Sequence, residues 1–327
     1  MDTRDFLHPT ALTLTRQRSL VGLDGRDLRR GREKGEHVRL LRGVYVPTDR
    51  WKAADDDQYL MRIQAAVLMR RSQPVLSHLS AARVWDLPIL GRWPAEVHFL
   101  LPAGSKRTSR AGVVWHYDNF RDDDVVEVGG YLVTSRLRTM VDLARTTPFA
   151  SAVASLNAGL RAPFLLADGE RSETPAKEEL QEAVARLGSA RGCCAARVSA
   201  DFADGQSEST GESVSRANIH LSGMPAPLLQ VAYPRLGGGG DRVDFRWEAR
   251  HHIRRLPLLG EFDGKANYTR DQYLAGRTIE EVVWIEKVRE DRLRAPNRGM
   301  VRWLWAVATS PTWLRTLLIA AGLRPER

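Results

Sequence analysis

The succession of apolar patterns in the last third of the chain is the feature that most restricts its fold. From residue 207 the sequence predicts a helix, three strands, a long helix, a fourth strand and a terminal helix pair. In residues 242–247 polar and apolar side chains alternate, so we expect Val243, Phe245 and Trp247 to share one face of a strand. The predicted elements are the helix Ser207–Ser222, the strands Leu228–Tyr233, Arg242–Trp247 and Pro257–Asp263, the helix Arg270–Leu293 and the strand Met300–Trp305.

The rest of the chain predicts a multidomain α/β (α+β) protein. Small and polar residues cluster at 204–210 and indicate a boundary there. We therefore divide the chain into a helical module with a hairpin (1–50), a mixed α/β domain (51–146), a helical linker region (147–206) and the C-terminal domain (207–327). Within residues 51–146 the predicted elements are the helices Gln58–Arg71, Ser77–Asp86 and Leu137–Ala144 and the strands Val97–Leu101, Val113–His116 and Tyr131–Thr134.

The net charge favours a polyanionic partner. The chain has 49 Lys plus Arg against 40 Asp plus Glu, a formal charge of +9. Such a surplus attracts nucleic acid and raises its rate of encounter. The alternative is coding bias in a GC-rich genome, because only six of the 49 basic residues are lysines.

The cysteines and the apolar segments indicate a cytoplasmic protein without membrane contact. Cys193 and Cys194 are adjacent, so they cannot join distant segments, and two thiols are too few for a structural zinc site. Residues 1–20 carry charges and lack the apolar core of a secretory signal. The apolar stretch Trp303–Gly322 is interrupted by Ser310, Pro311 and Arg315, which predicts a packed helix pair rather than a membrane span.

A basic helix and a hairpin in the first 50 residues predict a winged helix-turn-helix. Asp24 and Asp27 are suited to cap the helix 26–34, and Gly35 to end it. Val38–Leu41 and Val44–Val46 then flank Gly43 as a two-stranded wing. Such a helix enters the DNA major groove while the wing contacts phosphates; the alternative is a solvated basic helix. The predicted DNA-binding residues are Arg26, Arg29, Arg30, Arg32, Lys34, Arg39 and Arg42.

Three strings give this region a family resemblance. Leu40–Val46 (LLRGVYV), Leu76–Ala82 (LSHLSAA) and Thr134–Leu143 (TSRLRTMVDL) resemble the winged-helix antitoxins of the AbiEi family over roughly the first 145 residues. The resemblance implies DNA binding, often at the operator of the protein's own operon. His78 and His116 are open to interpretation as ligands, but we favour packing or capping roles.

Three acidic residues in the C-terminal domain predict a metal site. Phosphodiester hydrolysis uses a divalent metal to neutralise phosphate and to lower the pKa of an attacking water. Magnesium prefers carboxylate oxygens and retained waters. Asp244 on one predicted strand, with Glu261 and Asp263 on the next, supplies such a ligand set at the end of a hairpin.

The same region resembles the PD-(D/E)XK nucleases, especially very-short-patch-repair endonucleases. Gly211–Arg216 (GESVSR), Arg242–Phe245 (RVDF), Gly260–Lys265 (GEFDGK) and Glu286–Asp291 (EKVRED) carry the resemblance. It implies that Asp244 and Glu261 hold Mg²⁺ or Mn²⁺ and that Glu212 is an auxiliary acid. Asp263 stands where that family has lysine, so Lys265 or Lys287 is expected to supply the cation.

Each of these residues also has an ordinary structural interpretation. Asp244 is suited to balance its arginine neighbours, Glu212 to pair with Arg216 one helical turn on, and Lys287 to lie on a solvated helix face. We expect the tryptophans Trp303, Trp305 and Trp313 to lie in the core.

The sequence leaves three functions open. The first is a metal-dependent DNA endonuclease with catalytic residues Glu212, Asp244, Glu261, Asp263 and Lys265 or Lys287. The second is an antitoxin-type repressor whose nuclease fold is inactive. The third is an interaction module in phage defence whose winged domain is occupied by a cognate toxin. Homodimer formation is left open for all three.

Overall fold

The computed structural model is a mixed α/β protein, as predicted, and it describes residues 12–20, 25–52, 55–165, 169–235, 238–264, 278–294 and 297–326. The chain divides into two compact units. The first contains residues 1–148 and 162–202, and the second contains residues 149–161 and 203–327. Within the described ranges, none of the helices combines the length and the apolar character that crossing a bilayer requires.

The N-terminal module of the first unit has the predicted basic helix and hairpin. Its helix α2 ends where Gly35 adopts a φ of 76°, a conformation that glycine reaches without steric cost. Gly25 is the N-cap of α2 and has no side-chain cap, and Asp27 lies in the first turn of the helix; Asp24, which was predicted to cap α2, lies outside the described residues. The sheet order is β1-β3-β2. The elements are β1 (Thr13–Leu14), α1 (Thr15–Leu20), α2 (Arg26–Glu33), β2 (His37–Leu41), β3 (Val44–Pro47) and α3 (Thr48–Trp51).

The rest of the first unit is built on a five-stranded sheet of order β6-β5-β4-β8-β7. Strands β4 and β8 pair in parallel, as do β5 and β6. The elements are α4 (Asp55–Leu68), β4 (Val75–Leu76), α5 (His78–Val84), β5 (Val97–Pro102), β6 (Val113–Asp118), β7 (Val125–Val128), β8 (Tyr131–Thr134) and α6 (Arg136–Thr146).

The predicted boundary at residue 50 does not separate two cores. Leu14 and Val44 of the N-terminal module are buried against Ala65 of α4, and Leu68 packs at the edge of this cluster. The hairpin therefore rests on α4 and forms one compact unit with the α/β sheet.

The predicted linker region 147–206 is also divided between the units. Helix α7 (Phe149–Arg161) belongs to the second unit, whereas α8 (Lys177–Ala185) and α9 (Cys193–Phe202) pack against α6 in the first. The prediction of a separate helical region is wrong because the apolar faces of these helices are buried in two different cores.

The second unit has the predicted succession of elements around a four-stranded sheet of order β12-β11-β10-β9. Strands β9, β10 and β11 are antiparallel neighbours, and β12 runs parallel to β11. The elements are α10 (Thr210–Leu221), β9 (Leu228–Pro234), β10 (Gly240–Trp247), β11 (Leu258–Asp263), α11 (Ile279–Arg294), β12 (Gly299–Leu304), α12 (Trp305–Ala308) and α13 (Pro311–Ala320).

Strand β10 does not keep its apolar residues on one face, so that prediction is wrong. Val243 packs with Leu259 of β11 and with α11, whereas Phe245 and Trp247 lie in a second cluster with residues of α10 and α13. The change falls at Asp244. Gln230, which stands opposite Asp244 in the register of β9 and β10, has a φ of 50°. The local irregularity turns the two halves of β10 toward different layers.

The tryptophans differ in burial. Trp303 is 2% exposed and stacks on Phe245 with ring centroids 5.3 Å apart, so it lies in the core as predicted. Trp305 and Trp313 are 42% and 58% exposed, and the prediction that they are core residues is wrong. Both belong to α12 and α13, short helices whose buried side is occupied by Ala308, Leu314 and Leu318.

Candidate functional site

Asp244 lies where strands β10 and β11 run side by side. Its Oδ2 accepts a hydrogen bond of 2.9 Å from the backbone N–H of Phe262. The pKa of Asp244 is raised to about 7. Burial is the largest cause, and the negative charges of Glu212 and Glu261 add to it, whereas the hydrogen bond from Phe262 and the charge of Arg289 oppose it. Three predicted site residues from α10, β10 and β11 are thus in electrostatic contact.

Glu212 is fixed at the start of α10. Ser209 is the N-cap of this helix and accepts a hydrogen bond from the Glu212 N–H. The Glu212 Oε2 accepts bonds from the Glu208 N–H at 2.8 Å and from Gln230 Nε2 at 2.7 Å. The side chain is buried, so these bonds hold its charge close to β10.

Two glycines bring the layers close enough for this arrangement. A Cβ on Gly211 would stand 1.9 Å from the Phe262 ring, so α10 approaches β11 only because residue 211 has no side chain. A Cβ on Gly260 would meet the rings of Trp247 and Trp303 at 2.9 Å. Both glycines lie in the strings on which the sequence resemblance rests.

Glu261 is 5% exposed and is bound by arginine. Arg289 of α11 donates from Nη1 to Oε2 at 3.2 Å and from Nη2 to Oε1 at 2.5 Å. Arg302 of β12 adds an ion pair at 3.6 Å. Burial raises the pKa of Glu261 although both arginines oppose the change. The charge of Glu261 is therefore balanced by guanidinium groups.

Asp263 does not join Asp244 and Glu261 as a third ligand. Its carboxylate accepts two bonds from Arg302, at 2.9 Å from Nε and at 2.6 Å from Nη2. In the part of the chain that the structure describes, no three His, Cys, Asp or Glu side chains are grouped so as to hold a metal ion. Among the described residues, the three predicted carboxylates are thus not grouped around one point, and Asp263 is bound by Arg302 instead.

Among the described residues, the cations that contact Glu261 and Asp263 are arginines. Lys265 lies outside the described residues, and Lys287 is exposed on α11. Arg289 and Arg302 contact the acidic residues instead, and sequence reasoning missed both. A sequence signal existed for Arg289, which stands two residues after Lys287 in the same string. The position of Arg302 opposite Glu261 in the register of β11 and β12 is known only from the structure.

The predicted DNA-binding residues form an exposed basic surface on the N-terminal module. Leu28 and Gly31 are the buried residues of α2, whereas its arginines, Lys34 at its end and the two arginines of the hairpin are exposed. The exposed basic residues are Arg26, Arg29, Arg30, Arg32, Lys34, Arg39 and Arg42.

The histidines of the first unit pack as expected. His78 is buried, and its ring stacks on His116 with centroids 3.5 Å apart. His98 Nδ1 lies 2.8 Å from His116 Nε2. Burial lowers the pKa of His98 to about 4. The pKa of His116 is also about 4, lowered mainly by burial and in addition by His98 and Arg145. These rings are thus neutral stacking partners, and the packing interpretation is confirmed for His78 and His116.

Comparison with known proteins places the chain in a family. No family model matches the sequence. Two Mycobacterium tuberculosis proteins, "Uncharacterized protein Rv2248" of strain H37Rv and "Uncharacterized protein MT2308" of strain CDC 1551, are each 30% identical to it over 274 residues. The match covers 83% of this chain and 92% of each relative. The chain belongs to the family of these mycobacterial proteins.

The carboxylates fit a hard divalent cation in type and number. Magnesium is commonly held by one or two carboxylates, with water and phosphate oxygens in the remaining positions. Among the described residues, Asp244 has one protein donor, at Oδ2, which leaves Oδ1 for a ligand. A cation beside Asp244 would also offset the repulsion from Glu212 and Glu261. Glu261 is less available to a cation, because Arg289 donates hydrogen bonds to both of its carboxylate oxygens.

Proposed function

We propose that this protein binds DNA through its N-terminal module and hydrolyses phosphodiester bonds at Asp244 and Glu261 with Mg²⁺ or Mn²⁺. The observation that carries the proposal is the position of Asp244. It is a half-buried carboxyl with a pKa near 7, and the negative charges of Glu212 in α10 and Glu261 in β11 contribute to this raised value. Perturbed acids of this kind cluster at functional sites because catalysis requires charges that folding alone does not favour.

The residues of the chain have separate roles in this proposal. Asp244 and Glu261 hold the ion, and Glu212 positions it from α10. A bound Mg²⁺ or Mn²⁺ would neutralise phosphate charge and lower the pKa of an attacking water. The Phe262 N–H fixes the orientation of Asp244, and Arg289 is close enough to Glu261 to balance negative charge that a phosphate brings. Lys287, and Lys265 from outside the described residues, remain candidates for orienting the nucleophile.

The order of elements in the second unit supports a nuclease-like interpretation. A helix, three antiparallel strands, a helix and a parallel fourth strand follow each other as in the PD-(D/E)XK resemblance. In that resemblance the ligand acids come from the second and third strands, which correspond here to β10 and β11. The exposed cations of α2 and the hairpin support DNA binding, as the AbiEi resemblance implies.

The test is cleavage and metal binding by the full-length protein. Supercoiled plasmid is incubated with Mg²⁺ or Mn²⁺, and nicking is compared for the wild type, Asp244→Asn, Glu261→Gln and the exposed-acid control Asp291→Asn. Calorimetry with Mn²⁺ alone measures ion binding independently of cleavage. Loss of both properties in the first two variants, but not in Asp291→Asn, supports the site. Cleavage that survives Asp244→Asn and Glu261→Gln refutes it.

One observation favours a second candidate, an antitoxin-type repressor with an inactive nuclease fold. Arg289 and Arg302 neutralise Glu261 and Asp263 with hydrogen bonds that an ion would have to displace. This candidate predicts binding to the DNA upstream of the protein's own gene without cleavage and without Mn²⁺ binding. A cognate toxin and a homodimer belong to this proposal, and copurification from the native operon tests both.

A further inference from the structure

Two arginines of the first unit, Arg70 and Arg107, lie on the ring of Trp115. The guanidinium of Arg70 stands 5.2 Å from the centre of the Trp115 ring, and that of Arg107 stands 4.9 Å from it. Arg70 also lies 5.6 Å from the Phe99 ring. Its Nε is buried and has no hydrogen-bond partner within the described residues. Two like charges are thus held together on an aromatic support.

The loop that carries Arg107 is fixed in place. The Tyr117 hydroxyl accepts a bond of 2.8 Å from the Arg107 N–H and donates to the carbonyl of the same residue. Ser109 Oγ accepts a bond of 3.0 Å from the Trp115 N–H. Both contacts tie residues 107–109 to strand β6. The cations of this loop are therefore positioned before any ligand arrives, which reduces the entropy that binding costs.

Three adjoining cavities open around Arg70, with volumes of about 350, 450 and 480 Å³. No aspartate or glutamate is among the described residues that line them. Burial, and to a lesser extent repulsion from Arg107, lowers the pKa of Arg70. A negatively charged ligand would therefore be favoured beside Arg70. The cations that line the cavities are Arg16, Arg70, Arg71, Lys106, Arg107 and Arg110.

We propose that this set of cavities, the Arg70 pocket, binds the phosphodiester backbone of a DNA strand and so gives the protein a second DNA contact apart from α2. The proposal rests on the proposed DNA-binding function. The ligand is a chain of phosphates rather than a single anion, because the cations are distributed over three adjoining cavities. Trp115 is 8% exposed, so it supports the arginines and does not serve as a stacking surface for bases. Guanidinium groups suit phosphate because they present paired N–H donors.

The experiment measures fluorescence anisotropy of a labelled DNA duplex with the full-length protein over a series of salt concentrations. Arg107→Gln is the main variant because Arg107 is exposed, so we expect its replacement to leave the fold intact. We expect about a tenfold loss of affinity, typical of one charge-assisted hydrogen bond, and a reduction of the salt slope by about 0.9. Arg107→Lys restores the slope but only part of the affinity. Arg186→Gln, at the exposed C-cap of α8, is the matched control and leaves both unchanged.

Further arms separate the alternatives. If Arg107→Gln binds DNA like the wild type while replacement of Arg29 and Arg30 abolishes binding, the Arg70 pocket is refuted and the proposed function stands. If the wild type binds no DNA, the proposed function fails, and the pocket proposal with it. Inorganic phosphate is titrated as a competitor. Displacement of the duplex at micromolar phosphate identifies a small-anion site and overturns the proposal, whereas competition only at ionic strengths that weaken all binding supports it.

Discussion

Arg289 donates hydrogen bonds to both carboxylate oxygens of Glu261, and this fork links helix α11 to the central strand β11. Glu261 is 5% exposed, so removal of Arg289 leaves a buried charge that only the longer ion pair with Arg302, at 3.6 Å, still balances. We predict that Arg289→Ala lowers the free energy of unfolding by about 3 kcal/mol, measured by urea denaturation in EDTA. The double variant with Glu261→Gln should recover most of this loss. Arg294→Ala, which removes only an exposed pair with Glu290, should cost about 0.5 kcal/mol; equal losses in the two single variants would contradict a buried pair.

Asp244 should make the protein less stable as the pH rises. Its pKa is about 7 in the folded chain against an ordinary value of 3.8, so the folded state holds a proton that the unfolded state releases. Stability from this group is complete below pH 4 and is lost as the pH passes 7, by at most about 4 kcal/mol. We predict that Asp244→Asn raises Tm at pH 8 in EDTA and has little effect at pH 4. If Asp244→Asn is less stable than the wild type at pH 8, the ionised Asp244 carboxylate does not destabilise the fold, and the prediction is wrong.

Gly211 should tolerate no side chain. A Cβ there would stand 1.9 Å from the Phe262 ring, which packs beneath α10. We predict that Gly211→Ala costs about 2 kcal/mol or more of unfolding free energy, because the overpacking exceeds the gain in helix propensity. Gly264→Ala is the matched control, since its Cβ would approach the same ring at an ordinary 3.5 Å. Thermal unfolding of both variants measures the difference, and comparable Tm values would rule out close packing of α10 on β11.

The stacked histidines should destabilise the first unit in acid. His98 and His116 have pKa values of about 4 in the fold against 6.5 ordinarily, so the unfolded chain takes up protons first as the pH falls. Their contribution is complete above pH 6.5 and is lost between pH 6.5 and 4. We predict that His116→Phe, which keeps the stacking, reduces the slope of unfolding free energy against pH in that window. Histidine Cε1–H shifts followed by NMR check the assignment, and a midpoint near 6.5 for His116 would contradict it.

The basic helix α2 should dominate the salt dependence of DNA binding. Arg29 and Arg30 are both exposed on it, and each phosphate contact contributes about 0.9 to the slope of log K against log salt. Replacing both by Gln should reduce the slope by about 1.8, provided that both contact phosphate, and weaken binding at every ionic strength. Anisotropy titrations from low to physiological salt measure this. Arg186→Gln again serves as the control, and an unchanged slope in the double variant would exclude α2 as the docking helix.

The local elements were largely predictable because their signals are local. Strand Tyr131–Thr134 has the predicted bounds, and helix α10 differs from its prediction by a few residues at its start, where Ser209 caps the helix. The described elements from α10 to α13 follow the predicted order. Alternating apolar residues, capping side chains and glycines at positive φ act over fewer than ten residues, so a single sequence reveals them.

The candidate site was predictable only in part. Glu212, Asp244 and Glu261 were expected together and are in electrostatic contact. Asp263 was expected beside them but is bound by Arg302, a residue 39 positions later. The exposed Trp305 and Trp313 show the same limit, since composition alone does not reveal which side of a short helix faces the core.

The amino-acid sequence by itself determined the α/β class, the succession of strands and helices, and the acids whose charges interact between α10, β10 and β11. Only the tertiary structure decided that α7 joins the second unit, that the face of β10 changes at Asp244, and that Arg289 and Arg302 supply the positive charge. The reason is physical. Secondary structure follows from interactions within a turn or a strand, whereas the partner of a buried charge is set by which distant segments pack closely enough to exclude water.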